Sequence, residues 1–346
     1  MGQYVGLDVS LKEVSICVVD SDGRVLTRGS VPCDPDAIHQ FLLRREVHAD
    51  RVVHESGMLS TWLTRELDKR GLPVICIDAR MANKALSARL NKSDAADSEG
   101  LAHLARTGWY TQVHIRSEAS DRVRTLIGAR ERLIRLRKDL EGHVRGVLKT
   151  FGIRIHKVVQ SRQRAGFREQ LREVGEADPV LALLADSFIP AHATLCAATA
   201  GLDRELRAIA KNSQVARRLM TVPGVGPMVA LGFMATIDDV SRFAKATDVG
   251  AFLGLTPRRY QSGETDYSGR ISKCGDTQTR ALLFESATCL IRKVKRFSSL
   301  KSWAVRLAAR KGFKKAAVAT ARKIAVILYR IWRDGTEFQW TKEASA

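Results

Sequence analysis

Residues 4–77 allow few architectures. Three β-rich runs, 4–8, 14–19 and 25–31, follow one another closely, and Ser21-Asp22-Gly23 separates the second from the third. An Asp-Gly step between such runs signals a hairpin, because it supplies the positive φ that a tight turn needs. The pattern then alternates. A helix is expected over 35–47 with Ile38, Leu42 and Leu43 on one side, a strand over 51–55, a helix over 61–70 and a strand over 73–77. Three antiparallel strands followed by alternating helix and strand predict a mixed sheet faced by helices.

That order is the one expected of a ribonuclease H-like α/β layer, and the acids within it fall in telling places. Asp8 ends the first strand and Glu55 the fourth. Asp94 and Asp97 stand at i and i+3 near the start of a helix expected over 93–106, so they share one face. Four converging carboxylates would repel one another, and a divalent cation with a taste for hard oxygen ligands relieves that repulsion; Mg²⁺ (or Mn²⁺) suits such a set. The same two helix acids also suit a plain structural role, complementing the helix dipole behind Ser93 as N-cap. His54, beside Glu55, reads as a packed strand residue.

Beyond residue 115 the chain turns helical. Leu126, Leu133, Leu140 and Val147 recur every seven residues with Leu136 between them, the pattern of one arm of a coiled coil, and 202–219 offers a returning arm. Residues 151–195 carry weaker periodicity. Over 219–231 a Pro-Gly-Val-Gly turn joins apolar helices in the manner of a helix-hairpin-helix; its glycines serve either phosphate approach or packing. Helices are expected over 277–295 and 302–333. The division that follows is an α/β domain over 1–114, a coiled-coil helical arm over 115–214 and a mainly helical domain over 215–346.

Between the C-terminal helices lies a polar loop, 254–275, punctuated by Gly263, Gly269 and Gly275. It sets serines among Arg258, Arg259, Arg270 and Lys273, and guanidinium groups grip phosphate oxygens in pairs. A second group, Lys311, Lys314, Lys315, Arg322 and Lys323, forms a phosphate-contact patch or a solvated face. The whole chain carries 57 Lys and Arg against 37 Asp and Glu, a net charge of +20. Residues 217–346 alone hold 24 against 10, an excess of 14. Nucleic acid is the expected partner of such a surface, with an anionic membrane surface as the weaker alternative. No apolar run is expected to reach the length of a membrane span, the N-terminus lacks a signal-peptide pattern, and the six cysteines include no C-x-x-C pair, so reduced thiols in the cytoplasm are expected.

Several ordered strings resemble one family. They are Gly6-Leu7-Asp8-Val9-Ser10, Glu55-Ser56-Gly57, Asn91-Lys92-Ser93-Asp94-Ala95-Ala96-Asp97 and Val222-Pro223-Gly224-Val225-Gly226. The most specific is Gly254-Leu255-Thr256-Pro257-Arg258-Arg259-Tyr260-Gln261-Ser262-Gly263, followed by Arg270-Ile271-Ser272-Lys273-Cys274-Gly275. Together they resemble the DEDD transposases of the "one-ten" insertion sequences, relatives of pilin-gene invertases; Glu55-Ser56-Gly57 is one residue shorter than the family's E-x-[ST]-G. The resemblance implies a RuvC-like N-terminal domain with Asp8, Glu55, Asp94 and Asp97 as a metal-binding tetrad. It also implies a C-terminal transposase domain with Ser262 as nucleophile, a role that spacing alone does not separate from Ser268 or Ser272. Donor and target DNA, a structured bridge RNA, a homotetramer and a place at the bacterial nucleoid are further implications.

Two other classes fit parts of the pattern. A junction-resolving nuclease would use metal and water, with Ser262 merely holding phosphate, but has no need of a C-terminal domain with such a loop. A noncatalytic nucleic-acid scaffold has no reason to concentrate acids inside a basic protein.

Overall fold

The computed structural model describes residues 2–87 and 93–340; Asn91 and Lys92 of the acid-bearing string lie outside them. The chain divides into two compact units, Met1–Arg116 and Ser117–Ala346.

The first unit contains β1 (Gln3–Val9), β2 (Glu13–Asp20), β3 (Val25–Pro32), α1 (Pro35–Leu43), β4 (Ala49–Glu55), α2 (Ser60–Lys69), β5 (Val74–Ile77), α3 (Ala79–Leu86) and α4 (Asp94–Thr107). Its sheet runs β3-β2-β1-β4-β5; the first three strands pair antiparallel, and β4 and β5 continue in parallel from β1. This is the ribonuclease H-like fold that the strand order predicts. Side-chain alternation sorts the two faces. Val5, Leu7 and Val52 pack with Ile38 and Leu42 of α1 and with Leu63 and Leu67 of α2. Val53 and Ile77 face Leu101, Leu104 and Ala105 of α4.

Gly6 decides how close α4 comes. A Cβ there would stand 2.1 Å from the Ser98 carbonyl oxygen and 2.3 Å from the Ala102 nitrogen. Only glycine admits that backbone contact. At the far end of the sheet, Gly23 lies beside His103 and Arg106. α4 therefore runs antiparallel to β1, and its first turn lies toward the strand end that carries Asp8. Ser93 caps that turn, its hydroxyl accepting from the Ala96 N–H. α1 is shorter than the periodicity suggests because the chain reverses at Glu46, whose φ is 52°.

The second unit opens with α5 (Glu118–Leu148), α6 (Gln163–Gly175), α7 (Pro179–Asn212) and α8 (Gln214–Leu219). α5 and α6 both pack on α7. The returning arm thus starts well before 202 and stops at Asn212, and 151–195 supplies α6 and the first half of α7. The leucine heptad does not form the buried seam of α5. Arg137, Glu141, Val144 and Leu148 do, while Leu136 is exposed and Leu133, Leu140 and Val147 are half-buried. The reason is that Phe167, Leu171 and Leu181 from α6 and α7 cover the Val144–Leu148 side. Contrary to expectation, α7 is long and apolar enough to cross a membrane by length and composition, and only 17% of that window is buried. Asp186 and His192 interrupt its apolar residues, so no continuous run marks it.

The rest of the unit holds α9 (Pro227–Ile237), α10 (Asp248–Phe252), β6 (Pro257–Ser262), β7 (Thr265–Ile271), α11 (Thr277–Arg292), α12 (Ser299–Lys311) and α13 (Phe313–Asp334). Phe233, Leu283, Ile324, Leu328 and Tyr329 anchor its core. The helix expected over 302–333 is two helices, broken at Gly312, whose φ is 82°. In the Pro-Gly-Val-Gly turn, a Cβ on Gly224 would come within 2.6 Å of the Ser286 carbonyl, so this glycine serves close packing on α11.

Asp276 fixes the start of α11. Its carboxylate accepts from the Thr279 N–H at 2.6 Å and from Arg124 of α5 at 2.7 Å, and Arg124 also donates to Thr236. Burial alone would raise this carboxyl, but the Thr279 N–H and the Arg124 guanidinium outweigh it and hold its pKa below the usual carboxylate value. A depressed folded-state pKa stabilises above the unfolded value and ceases to do so as pH falls through the folded one. Asp276→Ala is therefore expected to cost about 1–2 kcal/mol in urea unfolding at neutral pH, and the gap from wild type should close as pH drops below about 4. A gap that persists unchanged in acid would contradict this anchoring.

Candidate functional site

The carboxylates come first, each placed by its strand. Asp8 follows Gly6 by two residues and Glu55 follows Val53 by two, so both project from the α4 side of the sheet. β1 and β4 are neighbours, with Leu7 opposite His54, which sets Asp8 and Glu55 side by side at the strand ends. Both line a pocket of about 250 Å³ together with Ser10, Ser56 and Ser60. His54 points the other way. It is fully buried, its Nδ1 donates to the Glu55 carbonyl at 2.9 Å, and Nε2 lies 2.8 Å from Thr64 Oγ1. Burial holds its imidazole below the ordinary histidine range, the Glu55 carbonyl opposing. It is a packed residue that braces the backbone of Glu55.

Asp94 and Asp97 occupy the first turn of α4. They lie toward the same end of the sheet but do not line that pocket. Among the described residues no three His, Cys, Asp or Glu side chains stand at metal-holding distances. The structure thus pairs Asp8 with Glu55 on neighbouring strands and Asp94 with Asp97 on one helix turn, and does not close the four into one cluster. The donor chemistry still fits a hard divalent cation, since the pocket offers carboxylate and hydroxyl oxygens and no thiolate.

The stretch over 254–275 departs most from expectation. It is a two-stranded hairpin, not an irregular loop, with Ser262 paired to Thr265 across Gly263-Glu264. Gly263 has φ 53° and Glu264 does not share the positive sign, which is the pattern of a type II′ turn. All of β6 is exposed, so Ser262 stands at the open tip. On its face of the ribbon Tyr260 stacks on Tyr267 at 5.0 Å, and the Tyr260 ring covers Gly269. On the other face Arg259 donates both ways to Asp266, at 2.9 and 2.6 Å. This pairing raises the pKa of Arg259 and lowers that of Asp266. Arg258 donates to the Ser272 carbonyl. Neither arginine is thus an unengaged donor at the tip.

The hairpin is rigidly rooted. Gly254 and Gly275, at φ 66° and 72°, let its two ends cross: a Cβ on Gly254 would stand 2.2 Å from the Cys274 oxygen, and one on Gly275 would stand 2.2 Å from the Phe252 oxygen. Arg280 of α11 donates to the Leu253 and Gly275 carbonyls at 3.3 and 3.0 Å, tying both ends together. Sequence reading missed Arg124, Asp276 and Arg280. Asp276 alone had a local signal, an N-cap residue three positions before Thr279 at the start of an apolar helix. Of the predicted basic residues, Arg270 and Lys273 from the hairpin side and Lys314, Lys315, Arg322 and Lys323 from α13 line one groove, while Lys311 lies outside it.

Comparison with known proteins bears on both units. Residues 5–153 match a family described as a DEDD transposase of the IS110 type, and residues 216–302 match one described as Transposase IS116/IS110/IS902 family. The chain is 27% identical to the transposase of insertion sequence element IS1111A from Coxiella burnetii, over 95% of its length and 89% of that protein. It is 28% identical to a probable family 20 transposase from Pseudomonas aeruginosa, over 94% and 96%. Among solved structures, Thermus thermophilus RuvC bound to a Holliday junction substrate matches at 16% identity and a TM-score of 0.26, covering 33% of this chain and all of that one. With strand-end acids in one matched segment and the Ser262 hairpin in the other, the chain belongs to the IS110-type insertion-sequence transposases, enzymes that recombine DNA.

Proposed function

We propose that this transposase cuts and rejoins DNA through a covalent intermediate on Ser262. One observation carries the reading: Ser262 stands at the exposed tip of a hairpin whose root is locked by Gly254, Gly275 and Arg280. A rooted ribbon with a hydroxyl at its tip presents a nucleophile without requiring the helices beneath to move. Ser268 and Ser272 lie farther down the second strand or beyond it.

In the proposed step Ser262 Oγ attacks the scissile phosphorus and its proton passes to solvent. One phosphorus–oxygen bond forms, another breaks, and the departing strand leaves with a free hydroxyl. Attack by the hydroxyl of a new strand reverses the step and releases the serine, so the number of phosphodiester-type bonds is conserved throughout. Asp8 and Glu55, with Asp94 and Asp97, are the residues that would hold Mg²⁺ (or Mn²⁺), which when bound supplies positive charge for phosphate oxygens. The resemblance and the oxygen-only donor set support this assignment. Arg259, compensated by Asp266, acts in this reading as a brace of the ribbon; the charge for the DNA backbone comes from the groove on α13.

The division of labour follows the expected segments: carboxylate chemistry in 1–114, association through 115–214, and DNA handling with the serine in 215–346. Leu136, Val180 and Leu183 are exposed on the helical arm, which supports pairing with a second copy. Two DNA segments must be held at once, which favours a symmetric assembly, and the proposed assembly is a tetramer. The resemblance further supports a bridge RNA guide and a site of action at the nucleoid in the bacterial cytoplasm.

Two tests follow. In the assembled tetramer the carboxylates of one protomer are proposed to serve the serine of another. Mixing Asp8→Asn protein with a differently tagged Ser262→Ala protein, on DNA with the bridge RNA, should yield a covalent DNA adduct on the Asp8→Asn chain alone. No adduct in the mixture, where wild type forms one, would reject the shared site. The second test concerns the groove. Replacing Lys314, Lys315, Arg322 and Lys323 together by Ala should lower the slope of log affinity against log salt by up to about 3–4, at roughly 0.9 per phosphate contact. An unchanged slope would reduce the patch to a solvated face.

A further inference from the structure

The groove beside the hairpin has a composition that phosphate contacts alone do not explain. Its volume is about 1710 Å³, beyond the roughly 300–1,000 Å³ of pockets built for small ligands. Its rim is cationic. α13 contributes Lys314, Lys315, Arg322, Lys323 and Arg330, and the hairpin side adds Arg270 and Lys273. Against these seven stand two acids, Asp334 and Glu337, and Asp334 is already paired with Arg333 at 2.7 Å. An anionic occupant is therefore favoured over an acidic-and-basic protein surface or a lipid tail.

The floor is apolar. In this lining Leu255 is buried and Ile271, Trp303, Val318, Val326 and Ile327 are half-buried, whereas Lys273, Lys314, Lys315 and Lys323 are exposed. Lys323 Nζ lies 3.8 Å from the centroid of the Trp303 indole. A duplex turns its sugars and phosphates outward and its bases inward, so it would meet the rim and leave the floor in contact with nothing it can match. An unpaired strand satisfies both at once: phosphates along the cations, bases turned down onto Trp303 and the aliphatic side chains. A positively charged groove with a stacking aromatic is the general design for holding such strands. Phosphate also competes for Lys323. A charge-assisted contact to phosphate is stronger than the contact of an exposed ammonium with a ring, so the strand draws this lysine away and opens the indole face.

We propose that the groove between the hairpin and α13 takes an unpaired nucleic-acid strand with its bases inward, stacked on Trp303. The proposal rests on the recombinase reading only in taking nucleic acid as the partner. It adds that the DNA or its guide is held there with bases exposed, next to the hairpin that carries Ser262.

The test uses the full chain and fluorescence anisotropy with labelled oligothymidylate, the matching RNA, a duplex of equal charge, and an abasic strand of equal charge. Wild type should bind oligothymidylate about tenfold more tightly than the abasic strand, the effect of about one stacked base. Trp303→Leu, checked for an unchanged thermal transition, should lose most of that preference and keep its duplex affinity. The matching RNA arm tells which strand chemistry the groove prefers: tighter RNA binding assigns it to the guide, tighter DNA binding to the substrate. Equal wild-type affinity for the abasic strand and oligothymidylate overturns the proposal, whatever the variant does. So does a Trp303→Leu protein that weakens on duplex and single strand alike. A missing Ser262 adduct, by contrast, would sink the covalent reading and leave these binding outcomes untouched.

Discussion

Close approach of backbone to backbone at glycine is the constraint on which both candidate sites depend. At Gly6 the strand lies so near α4 that any side chain would overlap the Ser98 carbonyl at 2.1 Å. At Gly254 and Gly275 the two ends of the hairpin cross at similarly short range. Neither contact is a matter of apolar burial, which is tolerant of shape to within a methylene or so. Each fixes a position to a fraction of an ångström, because peptide groups do not repack as side chains do. The first sets the helix carrying Asp94 and Asp97 against the strand carrying Asp8. The second roots the ribbon that displays Ser262.

Electrostatics then sort the charges by task. The second unit holds most of the positive excess, yet its hairpin spends little of it at the tip, since Arg259 is neutralised by Asp266 in a bidentate pair. Exposed pairs of this kind contribute little to stability; what this one does is fix the ribbon's outer face. Arg280 and Asp276 act on the root through hydrogen bonds to carbonyls and to a helix N-terminus. The cations of α13 are left facing a groove. In the first unit the carboxylates of Asp8 and Glu55 share one small pocket, and His54, its buried ring bonded to the Glu55 carbonyl and beside Thr64, braces the strand between them.

Much of the first unit was legible because its strands alternate between two buried faces and its turns carry Asp-Gly or glycine. The parity of Asp8 and Glu55 follows from that alternation alone. The hairpin escaped sequence reading because every residue of β6 is exposed, so no apolar alternation marks it. The overlooked signal was a Gly-Glu step between Tyr260 and Tyr267. In the arm, the leucine heptad is real as a pattern, but the buried line lies on a neighbouring face where α6 and α7 pack, and no local feature announces that choice. Pro190 within α7 further hides a helix that tertiary contacts with α5 and α6 sustain. The groove was half visible: its lysines cluster on one helix, whereas Trp303, Ile271 and Leu255 join them only through the fold.

The central claim is that the hairpin tip supplies the nucleophile. The most direct measurement is to trap the protein–DNA adduct of the wild-type chain, digest both components, and locate the modified peptide by tandem mass spectrometry. The account predicts a single nucleotide-bearing serine, Ser262, on the peptide that spans the Gly263-Glu264 turn. A nucleotide on Ser268 or Ser272, or cleaved DNA with water-derived ends and no modified serine anywhere in the chain, would contradict it.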